Sequence, residues 1–333
     1  MYFNSKYNPC FFIAEVGSNH EGNFVNAKKL IIEAAKSNAD LIKIQIYTPD
    51  GMVNKIFDKS RYKHFSRLTL SLNQYIELAK LCKKYKKKFS ASIWDPDLIE
   101  PLNKFIDIYK VGSGDINNFQ IIKKILKTGK PLIISTGLAS FREIKNTLDY
   151  IKSINKKYIY LKKIALLHCN TAYPTPPEDS NLLNISKLKK KFNLPTGFSD
   201  HTVGSEVIKT AYTLGAEIIE KHFSINPKLK SFRDHQISLN KFQTIKFLDD
   251  CKFIKNLMRE KKKTLSKSEK NQKNLSSFRR SIYAKNQINK GDTFTEENII
   301  SLRPFKRNAY KAEKYYSLIG KKAKKNYKEF NII

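Results

Sequence analysis

The sequence predicts an α/β fold, a TIM (β/α)8 barrel followed by a small, mainly β C-terminal domain. Two observations carry this expectation. Eight short apolar runs alternate with amphipathic segments between Phe11 and Phe223, and strand-then-helix repeated eight times over about 230 residues is the pattern of a closed parallel barrel. Polar residues also collect at the C-terminal ends of these runs, the face on which such barrels carry their active sites. A doubly wound open sheet is the competing arrangement with the same alternation.

In chain order the strand candidates are Phe11–Val16, Leu41–Ile46, Phe89–Ser92, Asp107–Val111, Pro131–Ser135, Ile164–Cys169, Pro195–Phe198 and Ala216–His222. Between them, stretches such as AKKLIIEAAKSN, NQYIELAKLCKKY and FQIIKKILKTG repeat apolar residues at three- and four-residue spacing, the mark of a one-faced helix. One more helix is expected from Leu239 to about Glu260. KKKTLSKSEKNQKN then has no apolar period and reads as a linker. Short strand-like pieces follow around the turn at Asn289–Asp292. The expected organisation is a barrel over 1–260, a linker over 261–277 and a small domain over 278–333, which is marginal alone by its surface-to-volume ratio.

Composition narrows the function classes. The apolar content of 41% is that of a globular protein. No apolar run is long enough to span a bilayer, and no extended apolar segment follows a basic start, so a cytoplasmic protein is expected. The four cysteines are far apart, without a CxxC pair, which fits reduced thiols. The net charge of +33 could attract a polyanion. However, only nine of the 63 basic residues are arginine, the lysines are scattered along helical faces, and no zinc-finger spacing or aromatic RNA-binding box occurs. Neither nucleic acid nor membrane is therefore expected as a partner, while small anionic substrates would be drawn to such a field.

The chemistry-bearing residues sit at the predicted strand ends. His201 and His222 lie at or just beyond the last two strands, beside Asp200, Glu220 and Asp234, and imidazole with carboxylate or water is a ligand set for a divalent metal. The alternative is a pair of hydrogen-bonded core histidines. Lys43 and Gln45 are two apart and share a face. With Lys110 they would enter the barrel, where an unpaired charge costs several kcal/mol, so the two lysines suit a phosphate or carboxylate. Ser92, Ser113, Ser135 and Ser199 end strands or begin the following turns. The turns at Gly112–Gly114 and Ser135–Gly137 let backbone N–H groups approach an anion. Glu21, after a short Asn-His turn, is a candidate general acid or base, or a solvated loop acid.

Taken together these residues resemble the sialic acid synthase family. The matching stretches are IAEVGSNHEG, IKIQ, YKVGSGD, PLIISTGLAS, LLHCNTAYPTP, GFSDHTVG, IIEKHF and DHQISL, and RRSIYAKNQINKGDTFTEENIISLRP is similar to the family's antifreeze-like domain. The resemblance implies condensation of phosphoenolpyruvate with an N-acylated aminosugar such as N-acetylmannosamine, giving a nonulosonic acid and phosphate, with Mn²⁺ or Mg²⁺ as cofactor. It implies His201 and His222 as metal ligands, and Lys43, Ser92, Lys110, Ser113, Ser135, Thr171 and Ser199 as the phosphoenolpyruvate site. Gln45, Tyr173 and Asp234 fall on the sugar side, and Glu21 matches an acid/base or positioning carboxylate. The resemblance further implies a domain-swapped homodimer in which Arg303 reaches the partner's sugar site. The sequence departs from the pattern at Thr171, where some members have Asn, at Ser92, where Thr is common, and at Arg233, where Gly-Pro is familiar. Two alternatives stay open: a legionaminate or pseudaminate synthase acting on a diacetamido-trideoxyhexose, and an inactive carbohydrate- or polyanion-binding homologue.

Overall fold

The computed structural model describes residues 2–258, 264–271 and 274–333. The expected boundary at 260/261 lies outside the described residues. The chain divides into two compact units, one ending at Met258 and one holding the remaining C-terminal residues.

In the first unit eight parallel strands close into a barrel in sequence order: β1 Phe11–Gly17, β2 Leu41–Ile46, β3 Lys88–Ile93, β4 Ile108–Val111, β5 Leu132–Ser135, β6 Ile164–Cys169, β7 Thr196–Asp200 and β8 Ile218–His222. β8 pairs with β1 to complete the ring. The strands read as nearly unbroken apolar runs because both faces are covered. β7 runs two residues beyond its predicted end, since Ser199 and Asp200 pair with Glu220 and Lys221 of β8. The helices Phe24–Ala35, Leu72–Lys84, Phe119–Lys127 and Phe141–Ile154 pack outside the ring through faces predicted by their periodicity or built on the same rule. The last helix, Lys241–Leu257, starts where the Asn240 side chain accepts from the Gln243 backbone N–H. The helix Lys59–Leu68 was not legible as a one-faced helix, because Leu68 is its one buried residue.

The barrel interior has two storeys. Phe11, Ile13, Leu41, Ile108, Ile133, Ala165, Leu167 and Ile218 form an apolar floor with Phe3. Strand side chains alternate with period two, so the next inward positions after Ile13, Leu41, Ile108, Ile133 and Ile218 are Glu15, Lys43, Lys110, Ser135 and Glu220. All five are buried. The same alternation that builds the floor therefore lifts a polar storey above it, toward the strands' C-terminal ends.

The C-terminal unit pairs β9 Ser281–Ala284 with β10 Ile299–Leu302, antiparallel. Its own core gathers Ile282, Ile288, Phe294, Leu318, Tyr327 and Ile333. The predicted turn closes through the Asp292 N–H donating to the Asn289 carbonyl at 3.1 Å, with Gly291 in the left-handed region. In the segment read as a linker, Lys267–Asn271 and Asn274–Phe278 are short helices. Among the described residues no helix is long and apolar enough to cross a membrane.

Candidate active site

The polar storey is a quartet of buried charges. Lys43 Nζ stands 2.5 Å from Glu15 Oε2 and 3.9 Å from Glu220 Oε2, and Lys110 Nζ stands 3.4 Å from Glu220 Oε1. Three hydroxyls complete it: Lys43 donates to Ser92 Oγ at 3.3 Å, Lys110 to Ser135 Oγ at 2.7 Å, and Ser199 Oγ donates to Glu220 Oε1 at 2.8 Å. Taking such charges out of water is costly, and mutual attraction offsets the cost when geometry is good. Burial works against each charge. For Glu220 the two ammonium groups outweigh it and hold the carboxyl down at about 2. Burial disfavours the Lys43 charge too, but Glu15 and Glu220 outweigh it and keep this lysine firmly protonated. For Lys110 burial wins and its pKa falls. Burial likewise raises the pKa of Glu15.

Ser113 lies just past β4. Its Oγ accepts from the Gly137 N–H at 3.0 Å. A β-carbon on Gly137 would come within 2.8 Å of that Oγ and 2.9 Å of Thr171 Cγ2, so only glycine lets the turn after β5 close on Ser113 and Thr171. Lys43, Ser92, Lys110, Ser135 and Ser199 are thus joined in one network. Ser113 and Thr171 both approach Gly137.

Beside this network His201 and His222 face each other with ring centroids 5.5 Å apart. The His201 Nδ1 lies 2.6 Å from the Asn170 carbonyl, which places the proton on Nδ1 and leaves Nε2 a free lone pair. His222 Nδ1 is buried with no hydrogen-bond partner among the described residues and lies 3.8 Å from Asp234 Oδ2. Both rings are kept neutral, with pKa about 3. Burial is the main cause, helped by the neighbouring His222 at His201 and by Lys43 at His222. Neutral imidazoles with unspent lone pairs are the state in which histidine binds a metal, so the pair fits a divalent cation. No group of three or more His, Cys, Asp or Glu side chains forms a metal cluster among the described residues. The pair would therefore supply two ligands and leave the others to water or substrate.

Two sugar-side candidates, Tyr173 and Asp234, lie against the imidazoles. The Tyr173 and His201 ring centroids lie 4.0 Å apart, and the Arg233 guanidinium lies over the Tyr173 ring at 4.4 Å. Asp234 accepts from Arg233 Nε at 3.0 Å. Gln45 donates to Glu15 Oε1 at 3.3 Å and accepts from Ser18 Oγ at 3.1 Å. Glu21 is held by His235 Nε2 at 3.1 Å and Ser231 Oγ at 2.8 Å. Burial opposes its charge, but these two hydrogen bonds outweigh it and lower the pKa, so the carboxylate is ionised at neutral pH. Arg303 belongs to the C-terminal unit, where its Nε donates to the Phe278 carbonyl at 2.9 Å and its guanidinium lies over the Phe278 ring.

Glu15 had no role in the sequence reading, and Glu220 was noted without one. The available signal was an acid inside an apolar strand, FFIAEVG, which persists in a core only when paired. Arg233 was noted as a departure; its stacking on Tyr173 was not legible. A surface cleft of about 430 Å³ lined by Pro96, Asp97, Glu100 and Lys124 contains none of these residues.

Fold and site together define a class: a (β/α)8-barrel protein with a buried network of two lysines and two glutamates next to paired neutral imidazoles at the C-terminal face, carrying a small β domain. Residues 30–263 match the NeuB family and residues 279–329 the SAF, or antifreeze-like, domain. The chain belongs to the NeuB family. It is 36% identical over 334 residues to the N,N'-diacetyllegionaminic acid synthase of Campylobacter jejuni subsp. jejuni serotype O:2, covering 96% of this chain and 98% of that one. It is 34% identical to the pseudaminic acid synthase of C. jejuni serotype O:23/36, covering 95% and 93%. Among solved structures, the N-acetylneuraminic acid (sialic acid) synthetase of Leptospira borgpetersenii serovar Hardjo-bovis, in complex with citrate, superposes with a TM-score of 0.70 at 30% identity, covering 80% of this chain and 91% of that one.

Proposed function

We propose that this protein is an N-acylneuraminate-type synthase, joining phosphoenolpyruvate to an N-acylated aminosugar to give a nonulosonic acid and inorganic phosphate. The observation that carries the reading is the adjacency of two chemistries on one barrel face: buried Lys43 and Lys110 with their serines, and the neutral pair His201 and His222. The lysines and hydroxyls, with Ser113 and Thr171 at their rim, suit the phosphate and carboxylate of phosphoenolpyruvate. Tyr173, Asp234 and Gln45 suit the open-chain sugar. His201 and His222 would hold Mn²⁺ or Mg²⁺, which supplies Lewis acidity for the sugar aldehyde when bound.

In this reading the alkene carbon of phosphoenolpyruvate forms the new bond to the aldehyde carbon, and the aldehyde oxygen takes a proton to become a hydroxyl. Water adds to the cationic C2 centre and loses a proton. Phosphate then leaves with its bridging oxygen by C–O cleavage, as the C2 hydroxyl closes to the carbonyl and gives its proton to the departing phosphate. Lys43 and Lys110 balance the anion before and after cleavage. Glu21, ionised and held by His235, is suited to accept a proton or to position the sugar. Arg303 is assigned to a partner's sugar site in a domain-swapped homodimer.

A second reading keeps the condensation and changes the sugar to a diacetamido-trideoxyhexose. The likeness to a diacetyllegionaminic acid synthase favours it, as does Arg233 where the sialic acid pattern has Gly-Pro. The test is phosphate release with phosphoenolpyruvate, divalent metal and a panel of N-acylated sugars. Release should require all three components, and product mass identifies the sugar; no release across the panel would refute the proposal.

A further inference from the structure

Glu15 sits at an inward position of β1, paired in register with Lys43 of β2. Its two oxygens do different things. Oε2 meets the Lys43 ammonium at 2.5 Å, and Oε1 accepts from Gln45 Nε2 at 3.3 Å. One carboxylate therefore bridges a group assigned to the phosphoenolpyruvate anion and a group assigned to the sugar. Gly17 shows how closely a third group approaches. It has φ +56, and a β-carbon there would lie 3.1 Å from Glu15 Oε1, 3.4 Å from Gln45 Nε2 and 3.4 Å from His222 Cε1. Carboxylate, amide and imidazole converge around that point.

Charge explains why an acid is there. Glu15 and Glu220 set two negative charges against the two positive charges of Lys43 and Lys110, so the pocket is balanced with nothing bound. A phosphate or carboxylate entering this set must draw on a cation already held by a carboxylate. Apart from their ion pairs, Oε2 of Glu15 and Oε2 of Glu220 have no hydrogen-bond partner among the described residues. Among the described residues Lys43 is the ion-pair partner of Glu15 on that side.

We propose that Glu15 is a positioning residue that couples the two substrate subsites. It holds the Lys43 ammonium in place until the phosphoenolpyruvate anion takes it. The released carboxylate, still tied to Gln45 through its other oxygen, then accepts a hydrogen bond donated by a hydroxyl of the aminosugar. Each substrate therefore tightens the other, by the same factor in both directions. The inference rests on the reading of the site as one that takes both substrates together.

The test is calorimetric titration of phosphoenolpyruvate with and without the alditols of N-acetylmannosamine and of a diacetamido-trideoxyhexose, which lack the aldehyde and cannot react. In the wild-type protein a bound alditol should lower the phosphoenolpyruvate Kd about tenfold, within the usual range of coupling between sites. Glu15→Gln, which keeps the volume and removes the charge, should bind both ligands with a coupling factor near one. Glu15→Asp keeps the charge but is a methylene too short to span Lys43 and Gln45, and should lose coupling as well. It serves if the Gln variant does not fold. Two bound ligands without coupling in the wild-type protein, or undiminished coupling in either folded variant, would overturn the inference. A wild-type protein that binds no phosphoenolpyruvate would overturn the functional reading itself, a different and recognisable result.

Discussion

Lys221 Nζ and Asp200 Oδ2 meet at 2.5 Å with neither side chain exposed, on the face of β8 opposite the one that presents Glu220 and His222 to the barrel interior. The two residues are direct register partners on β8 and β7, and the ammonium also donates to the Thr202 carbonyl at 2.6 Å. Side chains alternate along a strand, so this outward pair fixes the height at which the inward groups of both strands stand. Replacing Lys221 with Met would leave Asp200 buried and unpaired. The expected loss of stability is about 3–5 kcal/mol, read from urea unfolding, and a loss below about 1 kcal/mol would contradict the pairing as a structural element.

Lys110 offers a sharper test of the proposed anion pocket. Its ammonium is shared between Ser135 and Glu220. A hydrogen bond from a charged donor contributes about 1.5–3 kcal/mol, so Lys110→Met should lower kcat/KM for phosphoenolpyruvate by roughly tenfold to a hundredfold or more. The KM for sugar should change little. An equal rise in both KM values would place Lys110 outside the anion subsite.

The buried histidines set a pH dependence. Burial lowers the pKa of His20 to about 4 and those of His201 and His222 to about 3. Unfolded histidine titrates near 6.5. Between these values the unfolded chain binds protons that the folded chain refuses, so stability is full above about pH 6.5 and is lost as pH falls toward 4. Each imidazole contributes up to about 1.4 kcal/mol per pH unit in that window. Urea melts of metal-free protein at pH 7.5 and pH 5 should differ by several kcal/mol, and His20→Gln should reduce the slope. A flat profile would mean that the rings are not desolvated as described.

The proposed domain-swapped dimer can be tested by complementation. Arg303→Ala alone should mainly raise the KM for sugar. His222→Ala should abolish metal-dependent turnover and weaken Mn²⁺ binding measured by electron paramagnetic resonance without substrate. Refolded together and assayed at a sugar concentration well below the raised KM, the inactive His222→Ala chain and the impaired Arg303→Ala chain would form mixed dimers of the proposed kind, in which one site has both native residues. By dimer symmetry, about a quarter of wild-type activity should return. No recovery from verified mixed dimers would place Arg303 in its own chain's site or in none.

Much of the fold was legible because barrel strands announce themselves twice, by apolar runs of strand length and by polar residues at one end of each. The eight strands fell where those runs lie; pairing extended β7 to Ser199 and Asp200, whereas β4, β5 and β8 start one or two residues later than their runs, at Ile108, Leu132 and Ile218. Helices with a buried stripe, such as Phe119–Lys127, were equally plain. The helix Lys59–Leu68 carries no such stripe and escaped notice. In the site, Lys43, Lys110, His201 and His222 stood out as residue types that a barrel interior does not hold without reason. Glu15 did not, because a lone acid in an apolar strand has no visible partner until the neighbouring strand is placed beside it.

The sequence by itself determined which residues stand at the mouth of the barrel, since period-two alternation and strand order are local properties. It determined the family as well, through motifs spread along nearly the whole chain. Only the tertiary structure decided how the charges are shared. That Glu15 faces Lys43 and Gln45 together, that Glu220 lies between two ammonium groups, and that Arg233 covers Tyr173 all depend on register and ring closure. The physical reason is range. Backbone alternation acts over two residues, whereas an ion pair acts between atoms a few ångströms apart in space, and here those atoms are brought together from strands up to about two hundred residues apart in the chain.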